Sequence, residues 1–287
     1  MKIRLDMAKF DVSGYVDNIS VHPIIVEKLE CFFSNLVSEK EILDYNVLTL
    51  SNRVLVIVVS EAERFKEAND IDKILYGALG SIEKADFNFT FENSSLKQFK
   101  NFLFTERRNE SILIFFSTNV ELVTYNMAIL KLLFNPFANF DIFKINVFEL
   151  YTINLKFNER LKSYTQFKDL FKLLKDIKKS SLKFFVQSIE GQNSEPVMVS
   201  LEDSSASIWR VSTPYFSINF ILNALVENIL PVTFYDSSNA LAFPKSLAVG
   251  FTLQNGKLFG PVDLFDDSFY DSLRSKFYEK IINRRFS

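Results

Sequence analysis

Three of the seven glycines in this 287-residue chain lie in one stretch, Leu247–Asp267, with the sequence LAVGFTLQNGKLFGPVDLFDD. Its first residues alternate large apolar side chains with small ones, which is typical of a half-buried β-strand. Asn255-Gly256 supplies the two positive-φ positions of a tight hairpin turn. Gly260-Pro261 is expected to end the return strand, and Asp266-Asp267 with Ser268 to cap a closing helix. The stretch therefore predicts a hairpin followed by a C-terminal helix.

The composition predicts a large buried core and little attraction to polyanions. Hydrophobic residues make up 48% of the chain, 32 residues are Phe, and the net charge is −2. A near-neutral charge argues against a general nucleic-acid or anionic-membrane binder. The single cysteine, Cys31, excludes an internal disulfide framework, suits a reducing cytoplasm and is expected to be buried. No leader and no apolar run of bilayer length is visible, so we expect a cytoplasmic protein without a membrane contact.

Strand and helix patterns alternate along the whole chain without a Pro/Ser/Gly-rich linker or a repeat. This organisation favours one α/β or α+β domain over residues 1–287, with helices covering sheets. Strands are predicted at Lys2–Phe10, Tyr45–Thr49, Val54–Ser60, Phe87–Phe91, Ser111–Ser117, Phe143–Phe157, Lys183–Ile189 and Pro196–Ser200, and helices at Ile24–Ser38, Asn69–Leu79, Asn126–Leu133, Glu159–Lys179, Ser217–Val226 and from the hairpin to Phe286.

Residue chemistry alone reveals no active site. The only histidine, His22, precedes Pro23 at a helix entrance and is interpreted as a capping or packing residue, so His-dependent triads and multi-His metal sites are excluded. No phosphate-binding glycine loop is present. The helix predicted over Glu159–Lys179 has a lysine-rich face, which is usually solvated surface.

Both ends of the chain resemble the archaeal-type (class V) fructose-1,6-bisphosphate aldolase/phosphatase family. The resemblance rests on residues 1–23, MKIRLDMAKFDVSGYVDNISVHP, on the stretch Leu247–Asp267, and on Tyr125-Asn126 with Asn135-Pro136-Phe137 between them. It implies a four-layer α-β-β-α sandwich, a homo-octamer, several bound Mg²⁺ ions and a lysine that forms a Schiff base with the substrate. Set against this family, the chain is expected to be shorter, without a tail after its last helix and without several internal loops.

The resemblance implies that most metal-binding positions are changed. The first metal-binding aspartate falls on Asp11 and is kept, while the histidine that follows it falls on Asn18. An aspartate pair falls on Asn52-Arg53, and one acid of the next loop survives as Glu121. Mg²⁺ needs several oxygen ligands, usually including carboxylates, so two isolated acids are not expected to hold a cluster of ions.

The covalent chemistry is expected to be lost as well. The Schiff-base loop falls on residues 190–196, where Asn193 replaces the lysine and Glu190 the tyrosine. An amide cannot form an imine. We therefore expect no catalytic residue and no bound metal or other cofactor. These positions together are named the remnant cleft: Asp11, Asn18, Asn52, Arg53, Glu121, Glu190, Asn193 and Glu195.

Three functions follow, in order of preference. The first is a degenerate, non-catalytic pseudoenzyme paralogue that acts as a structural, regulatory or assembly protein through contacts with itself or another protein. The second is a sugar-phosphate phosphatase or aldolase-like enzyme with an altered metal site, in which Asp11, Glu121, Glu190 and Glu195 converge as ligands or as acid and base. The third is a nucleic-acid or ribonucleoprotein binder that uses the lysine-rich helix.

Overall fold

The computed structural model shows two β-sheets with helices. It describes residues 1–12, 20–64, 68–83, 97–108, 110–118, 148–154, 159–164, 183–190, 193–201, 205–211, 230–236 and 244–285. The mixed α/β sandwich agrees with the fold class predicted from the sequence. Within the described ranges, none of the helices combines the length and the apolar character of a bilayer-spanning segment.

The first sheet has four antiparallel strands in the order β2-β3-β1-β4. The predicted strands at the N-terminus and around the turn at Ser51-Asn52 are confirmed, and β4 is a strand that the polar pattern of its stretch does not reveal. The bounds are β1 Lys2–Asp11, β2 Asp44–Leu50, β3 Arg53–Glu61 and β4 Lys97–Thr105.

The second sheet has nine strands in the order β11-β12-β5-β10-β9-β8-β6-β7, and β13 pairs with β12 outside that path. All its pairs are antiparallel except the short parallel pair of β11 with β12. The bounds are β5 Glu110–Thr118, β6 Phe148–Asn154, β7 Glu159–Tyr164, β8 Lys183–Glu190, β9 Asn193–Ser200, β10 Ala206–Val211, β11 Leu230–Pro231, β12 Lys245–Gln254 and β13 Lys257–Asp263.

One predicted helix is wrong at its start. The stretch Glu159–Tyr164 is strand β7, and its residue Lys162 is the Cα partner of Thr152 on β6. Cross-strand pairing here outweighs the 3.6-residue spacing of the apolar residues, since tertiary context overrides intrinsic preference. The rest of the predicted helix, residues 165–179, lies outside the described residues, as do the predicted strand Phe87–Phe91 and the predicted helices Asn126–Leu133 and Ser217–Val226.

Three helices are described: α1 Pro23–Ser38, α2 Ala68–Glu83 and α3 Ser268–Arg285. The predicted cap is confirmed, because the backbone N–H of Ile24 donates to Nδ1 of His22 at 3.1 Å. The buried stripe of α1 consists of Ile25, Leu29 and Phe33. Cys31 falls off this stripe and is exposed, so the expectation that it is buried is wrong.

The core is divided by β1, whose side chains alternate between two faces. Ile3, Leu5 and Met7 belong to a cluster that fills the space between the two sheets. Ala8 and Phe10 belong to a second cluster, which α1 and α2 cover from outside. The described residues thus show helix, sheet and sheet layers in this order. The space between the sheets is named the inter-sheet space.

The C-terminal hairpin forms as the sequence predicts, with two differences. Asn255 and Gly256 have φ of 52° and 75°, as a tight hairpin turn requires. The predicted half-buried strand is buried on both faces from Lys245 to Phe251. The return strand does not end at Gly260-Pro261: a register shift lets it continue to Asp263.

The closing helix begins where the sequence predicts. The backbone N–H of Phe269 donates to Oδ1 of Asp267 at 2.8 Å, which makes Asp267 the capping residue.

Gly250 on β12 packs closely against Leu264, since a Cβ built on this glycine would lie 3.3 Å from a methyl carbon of Leu264. The glycine therefore lets β12 approach the chain that follows the hairpin.

Replacing Gly256 by alanine is expected to lower the free energy of unfolding by about 1–2 kcal/mol, because a left-handed φ of 75° costs a residue with a Cβ about that much. The new Cβ would also lie 2.5 Å from a methyl carbon of Leu43 and displace it. Urea unfolding followed by circular dichroism measures the change. Gly80→Ala on α2, where no atom lies within 4 Å, is the control and should not destabilise the protein.

Candidate functional site

Three residues of the remnant cleft meet at one end of the first sheet. Asp11 ends β1, Arg53 begins β3, and the two are Cα partners. Asn52 lies in the turn between β2 and β3, and its carbonyl accepts a hydrogen bond of 2.8 Å from the backbone N–H of Val12. The turn therefore fixes the position of Arg53 directly beside the acid that the sequence singles out.

Two cationic side chains surround the Asp11 carboxylate. Nε of Arg53 lies 3.2 Å from its Oδ1, and Nζ of Lys9 lies 3.9 Å from the same oxygen. Lys9 is 3% exposed, Arg53 23% and Asp11 36%, so Asp11 is the most exposed side chain of the three, although its Oδ1 is buried. Nη1 of Arg53 also donates to the carbonyl of Ser117 at 3.4 Å, which joins the first sheet to β5 of the second.

A third cation lies at the same end of the molecule. Lys245 begins β12 and is the Cα partner of Thr118, the last residue of β5. Leu247 and Val249 face the inter-sheet space, so strand alternation places Lys245 on that face too. Burial lowers the pKa of the Lys245 ammonium, and the nearby charge of Asp236 opposes this effect. Besides Arg53, two lysines, Lys9 and Lys245, therefore face the inter-sheet space at the ends of their strands.

Lys9 and Lys245 are the residues that sequence reasoning missed. A signal for Lys9 was available, because it is two residues before Asp11 on an alternating strand and so must share its face. No pattern in the nearby sequence indicates where Lys245 lies, because its position depends on the pairing of β12 with β5.

The structure places Glu195 far from Asp11. Oε1 of Glu195 accepts a hydrogen bond of 3.2 Å from the backbone N–H of Thr105, at the end of β4. Thr105 pairs with Lys2, at the opposite end of β1 from Asp11. Nine residues of extended strand separate those ends by about 30 Å. Glu195 therefore does not contribute to a site around Asp11.

Glu190 and Asn193 lie on the same side as Glu195. They are Cα partners where β8 turns into β9. Because β9 runs antiparallel to β10, and β10 antiparallel to β5, the start of β9 lies near the start of β5 at Glu110. The remnant cleft is consequently split, with Asp11, Asn52 and Arg53 at one end and Glu190, Asn193 and Glu195 at the other. Asn18 and Glu121 lie outside the described residues.

Glu195 belongs instead to a charge cluster, named the arginine clamp, that consists of the buried Glu110 and Arg210 with the more exposed Arg107 and Glu195. Arg210 donates to both carboxylate oxygens of Glu110, at 3.1 and 2.8 Å, and to Glu195 at 3.1 Å. Burial raises the pKa of Glu110, but hydrogen bonds and charge from Arg107 and Arg210 outweigh it, so that the pKa is lowered overall. The clamp holds the end of the sandwich that lies opposite Asp11.

The described residues do not fit a magnesium site. No group of three or more His, Cys, Asp or Glu side chains within the described ranges is arranged to hold a metal ion. Mg²⁺ requires near-octahedral oxygen ligands, and Asp11, the described carboxylate at a position where the resemblance implies metal binding, is paired with Arg53 and Lys9.

Comparisons with known proteins agree with the motifs at the two ends of the chain. A family model described as fructose-1,6-bisphosphatase matches residues 214–286. A fructose-1,6-bisphosphate aldolase/phosphatase of Moorella thermoacetica is 21% identical over 95% of this chain and 83% of its own length. Proteins with the same name from Thermococcus kodakarensis and Metallosphaera sedula are 23% and 22% identical, over 97% and 96% of this chain and 88% and 83% of their own lengths. Over most of its length the chain is thus similar to fructose-1,6-bisphosphate aldolase/phosphatases, the family that its terminal motifs resemble.

Proposed function

We propose that this protein is a non-catalytic relative of the fructose-1,6-bisphosphate aldolase/phosphatases and acts as a structural, regulatory or assembly protein through protein contacts. One observation carries the proposal: Arg53 and Lys9 pair with the Asp11 carboxylate, 3.2 and 3.9 Å from the same oxygen. Two cationic groups thus lie where the resemblance implies a ligand of a divalent cation.

The electrostatics of this arrangement oppose a metal ion. Two unit charges 4 Å apart near a protein surface interact by about 4 kcal/mol. The guanidinium of Arg53 would therefore repel a divalent cation beside Asp11 by about twice that amount. Without a metal, the transition state of phosphate release lacks its usual charge stabilisation.

The geometry gives no support to the convergent acid set of the enzyme alternative, because Glu190 and Glu195 lie at the opposite end from Asp11. The nucleic-acid alternative required a helix with a lysine-rich face, yet Lys162 lies on strand β7. Among the described residues, no contact favours either the enzyme or the nucleic-acid alternative.

Exposed apolar side chains in the C-terminal region support a role in protein contacts. Tyr235 is 89% exposed, Phe259 55% and Phe269 56%. The two N–H groups of Phe234 and Phe265 donate to the carboxylate of Asp263, at 2.8 and 3.0 Å, and fix the backbone near these side chains. Exposed aromatic side chains are enriched in protein interfaces.

The activity assay combines fructose-1,6-bisphosphate with 10-fold steps of Mg²⁺ or Mn²⁺ and measures phosphate release. The native chain is expected to release none above background, and calorimetry is expected to show no stoichiometric metal binding. The Thermococcus kodakarensis relative, assayed beside it at its own working temperature, is the positive control. Metal-dependent phosphate release by the native chain would refute the proposal.

Replacing Phe259 and Phe269 together by serine is expected to reduce association with other protein chains. The reason is that truncating exposed aromatic anchors removes the apolar area that an interface buries. Sedimentation velocity of the purified protein measures self-association, and affinity purification from the native cell measures binding to other proteins. Tyr76→Ser on α2 removes an equally exposed aromatic ring elsewhere and is the control. Equal association of all three proteins would show that the exposed aromatics are not a contact surface.

A further inference from the structure

We propose that a surface beside the start of α3 binds an arginine- or lysine-rich segment of a partner protein. This surface, named the acidic aromatic surface, consists of Tyr235, Asp236, Asp266, Phe269 and Asp271. A basic partner deepens the proposed function and rests on it, since both require protein contacts, and it adds the chemical character of the partner.

The two aromatic rings of this surface are available to a partner. Tyr235 and Phe269 each expose more than half of their surface. Beneath Phe269 lies the buried Tyr270, whose ring centroid is 5.2 Å from that of Phe269 and 5.1 Å from that of the buried Phe265. The exposed ring of Phe269 therefore has a packed base, and a side chain that is already positioned loses little conformational entropy on binding.

Arg274 on α3 holds the segments of this surface together. Its Nη1 donates to the carbonyl of Pro231 at 3.4 Å and to that of Phe265 at 3.1 Å. Its Nη2 donates to the carboxylate of Asp271, and its Nε lies 3.9 Å from a carboxylate oxygen of Asp236. Asp236 and Asp271 therefore lie near the same guanidinium, although they are distant in sequence.

The exposed charge of this surface is negative. The side chains of Asp236 and Asp271 are 46% and 69% exposed, and Asp266 is exposed as well. The described cations nearby are two nearly buried side chains and one exposed side chain about two turns along α3 from Phe269, namely Arg274, Lys245 and Lys276. Three carboxylates therefore face solvent, while two of the three cations do not.

Exposed rings beside carboxylates are suited to cationic side chains. A guanidinium or ammonium group is attracted to the face of an aromatic ring, and a neighbouring carboxylate adds a charge-assisted hydrogen bond. Tyr235 directly precedes Asp236, and Asp266 lies three residues before Phe269. A basic segment satisfies both kinds of group. An apolar partner would bury the carboxylates without compensation, and an acidic partner would be repelled by them.

The test is fluorescence anisotropy with two labelled peptides, one in which arginine alternates with serine and one in which glutamate replaces every arginine. We expect the native chain to bind the arginine peptide saturably and at least 10-fold more tightly than the glutamate peptide. Phe269→Leu keeps an apolar side chain but removes the ring, and it should weaken binding at least 3-fold. Asp266→Asn removes one exposed charge and should weaken binding to a similar degree.

Two matched variants control for changes elsewhere on the surface. Tyr76→Leu removes an equally exposed ring on α2, and Glu63→Gln makes the same change in net charge just beyond β3. Both should bind the arginine peptide as the native chain does. Equal binding of the two peptides, or equal effects of the test variants and their controls, would overturn the proposal.

Sedimentation velocity with and without the arginine peptide tests whether a second copy of this chain occupies the surface instead. A dimer that Phe269→Leu dissociates and the arginine peptide does not would overturn the proposal. If Phe259→Ser/Phe269→Ser loses association with other proteins but the native chain does not bind the arginine peptide, the proposed function stands and the basic partner is refuted. Binding of this peptide together with metal-dependent phosphate release would support the acidic aromatic surface and refute only the non-catalytic role.

Discussion

The double variant Asn52→Asp/Arg53→Asp is expected to bind Mn²⁺ or Mg²⁺ at least about 100-fold more tightly than the native chain. The first change adds one negative charge, and the second replaces a positive charge by a negative one, which makes the local charge more negative by three. Asp11 is already the neighbour of both positions, as the Cα pairing of Asp11 with Arg53 and the bond from Val12 to Asn52 show. Three carboxylates in one place supply the oxygen ligands that Mg²⁺ prefers.

Calorimetry with each metal measures the gain, and single variants separate its causes. Arg53→Gln removes the repelling charge without adding a ligand and should give only a small part of the effect. Arg64→Asp makes the same charge reversal away from the cleft and is expected to give none. Equally tight metal binding by the native chain would show that Arg53 does not block the site and would contradict a non-catalytic role based on this ion pair.

The local parts of the fold could be predicted from the sequence. Asn255-Gly256 specifies its turn because both residues tolerate positive φ, and His22 with Pro23 specifies a helix start because one caps and the other fits the first turn. These signals act between neighbouring residues, so no knowledge of the rest of the chain is needed to interpret them.

The parts that depend on distant pairing could not be predicted. Glu159–Tyr164 has helical spacing but becomes a strand because β6 is available as its partner. The strand from Lys245 to Phe251 has the sequence pattern of a half-exposed strand but is buried on both faces, and its partner β5 is distant in sequence. In both cases the deciding contact comes from residues far away in sequence.

The candidate site also depends on distant pairing. Asp11 and Arg53 lie together because β1 pairs antiparallel with β3, although α1 and β2 lie between these strands in the sequence. Glu195 was grouped with them through a resemblance between loops, yet the antiparallel order of β9, β10 and β5 directs it to the opposite end. Residue types at matching positions therefore predict which chemistry differs from the family's, while only the sheet order shows which of these residues lie close together.

The arginine clamp is expected to be the largest single contributor to stability among the described charge clusters. Arg210 donates to Glu110 through two nitrogens, to the carbonyl of Pro196 at 2.9 Å, and lies 4.1 Å from the ring centroid of Phe104. It therefore joins three strands of the second sheet to the end of β4 in the first. Arg210→Met should lower the free energy of unfolding by about 3–5 kcal/mol, because removing one partner leaves a buried carboxylate with less compensation.

A double-mutant cycle in urea distinguishes this cause from a simple loss of packing. Glu110→Gln combined with Arg210→Met removes both charges and is expected to cost less than the sum of the two single changes. Glu195→Gln is the matched control, since that carboxylate is 39% exposed and its pairing with Arg210 is screened by water. Strict additivity in the cycle would mean that the two buried charges do not act on each other.

The pH dependence of the free energy of unfolding tests the role of Glu110 independently. Because Arg107 and Arg210 lower the pKa of Glu110 in the folded protein, this carboxyl stabilises the fold above its ordinary pKa of 4.5, and the contribution is lost as the pH falls through the lowered folded value. Glu110→Gln should therefore flatten the acid side of the stability profile measured between pH 7 and pH 3. In Arg210→Met one of the two arginines that lower this pKa is gone while the burial that raises it remains, so the variant should lose less stability on acidification than the native chain. A native-like acid slope in Arg210→Met would show that Arg107 alone holds Glu110 ionised, and the cost of the substitution would then have to be assigned to the lost packing on Phe104.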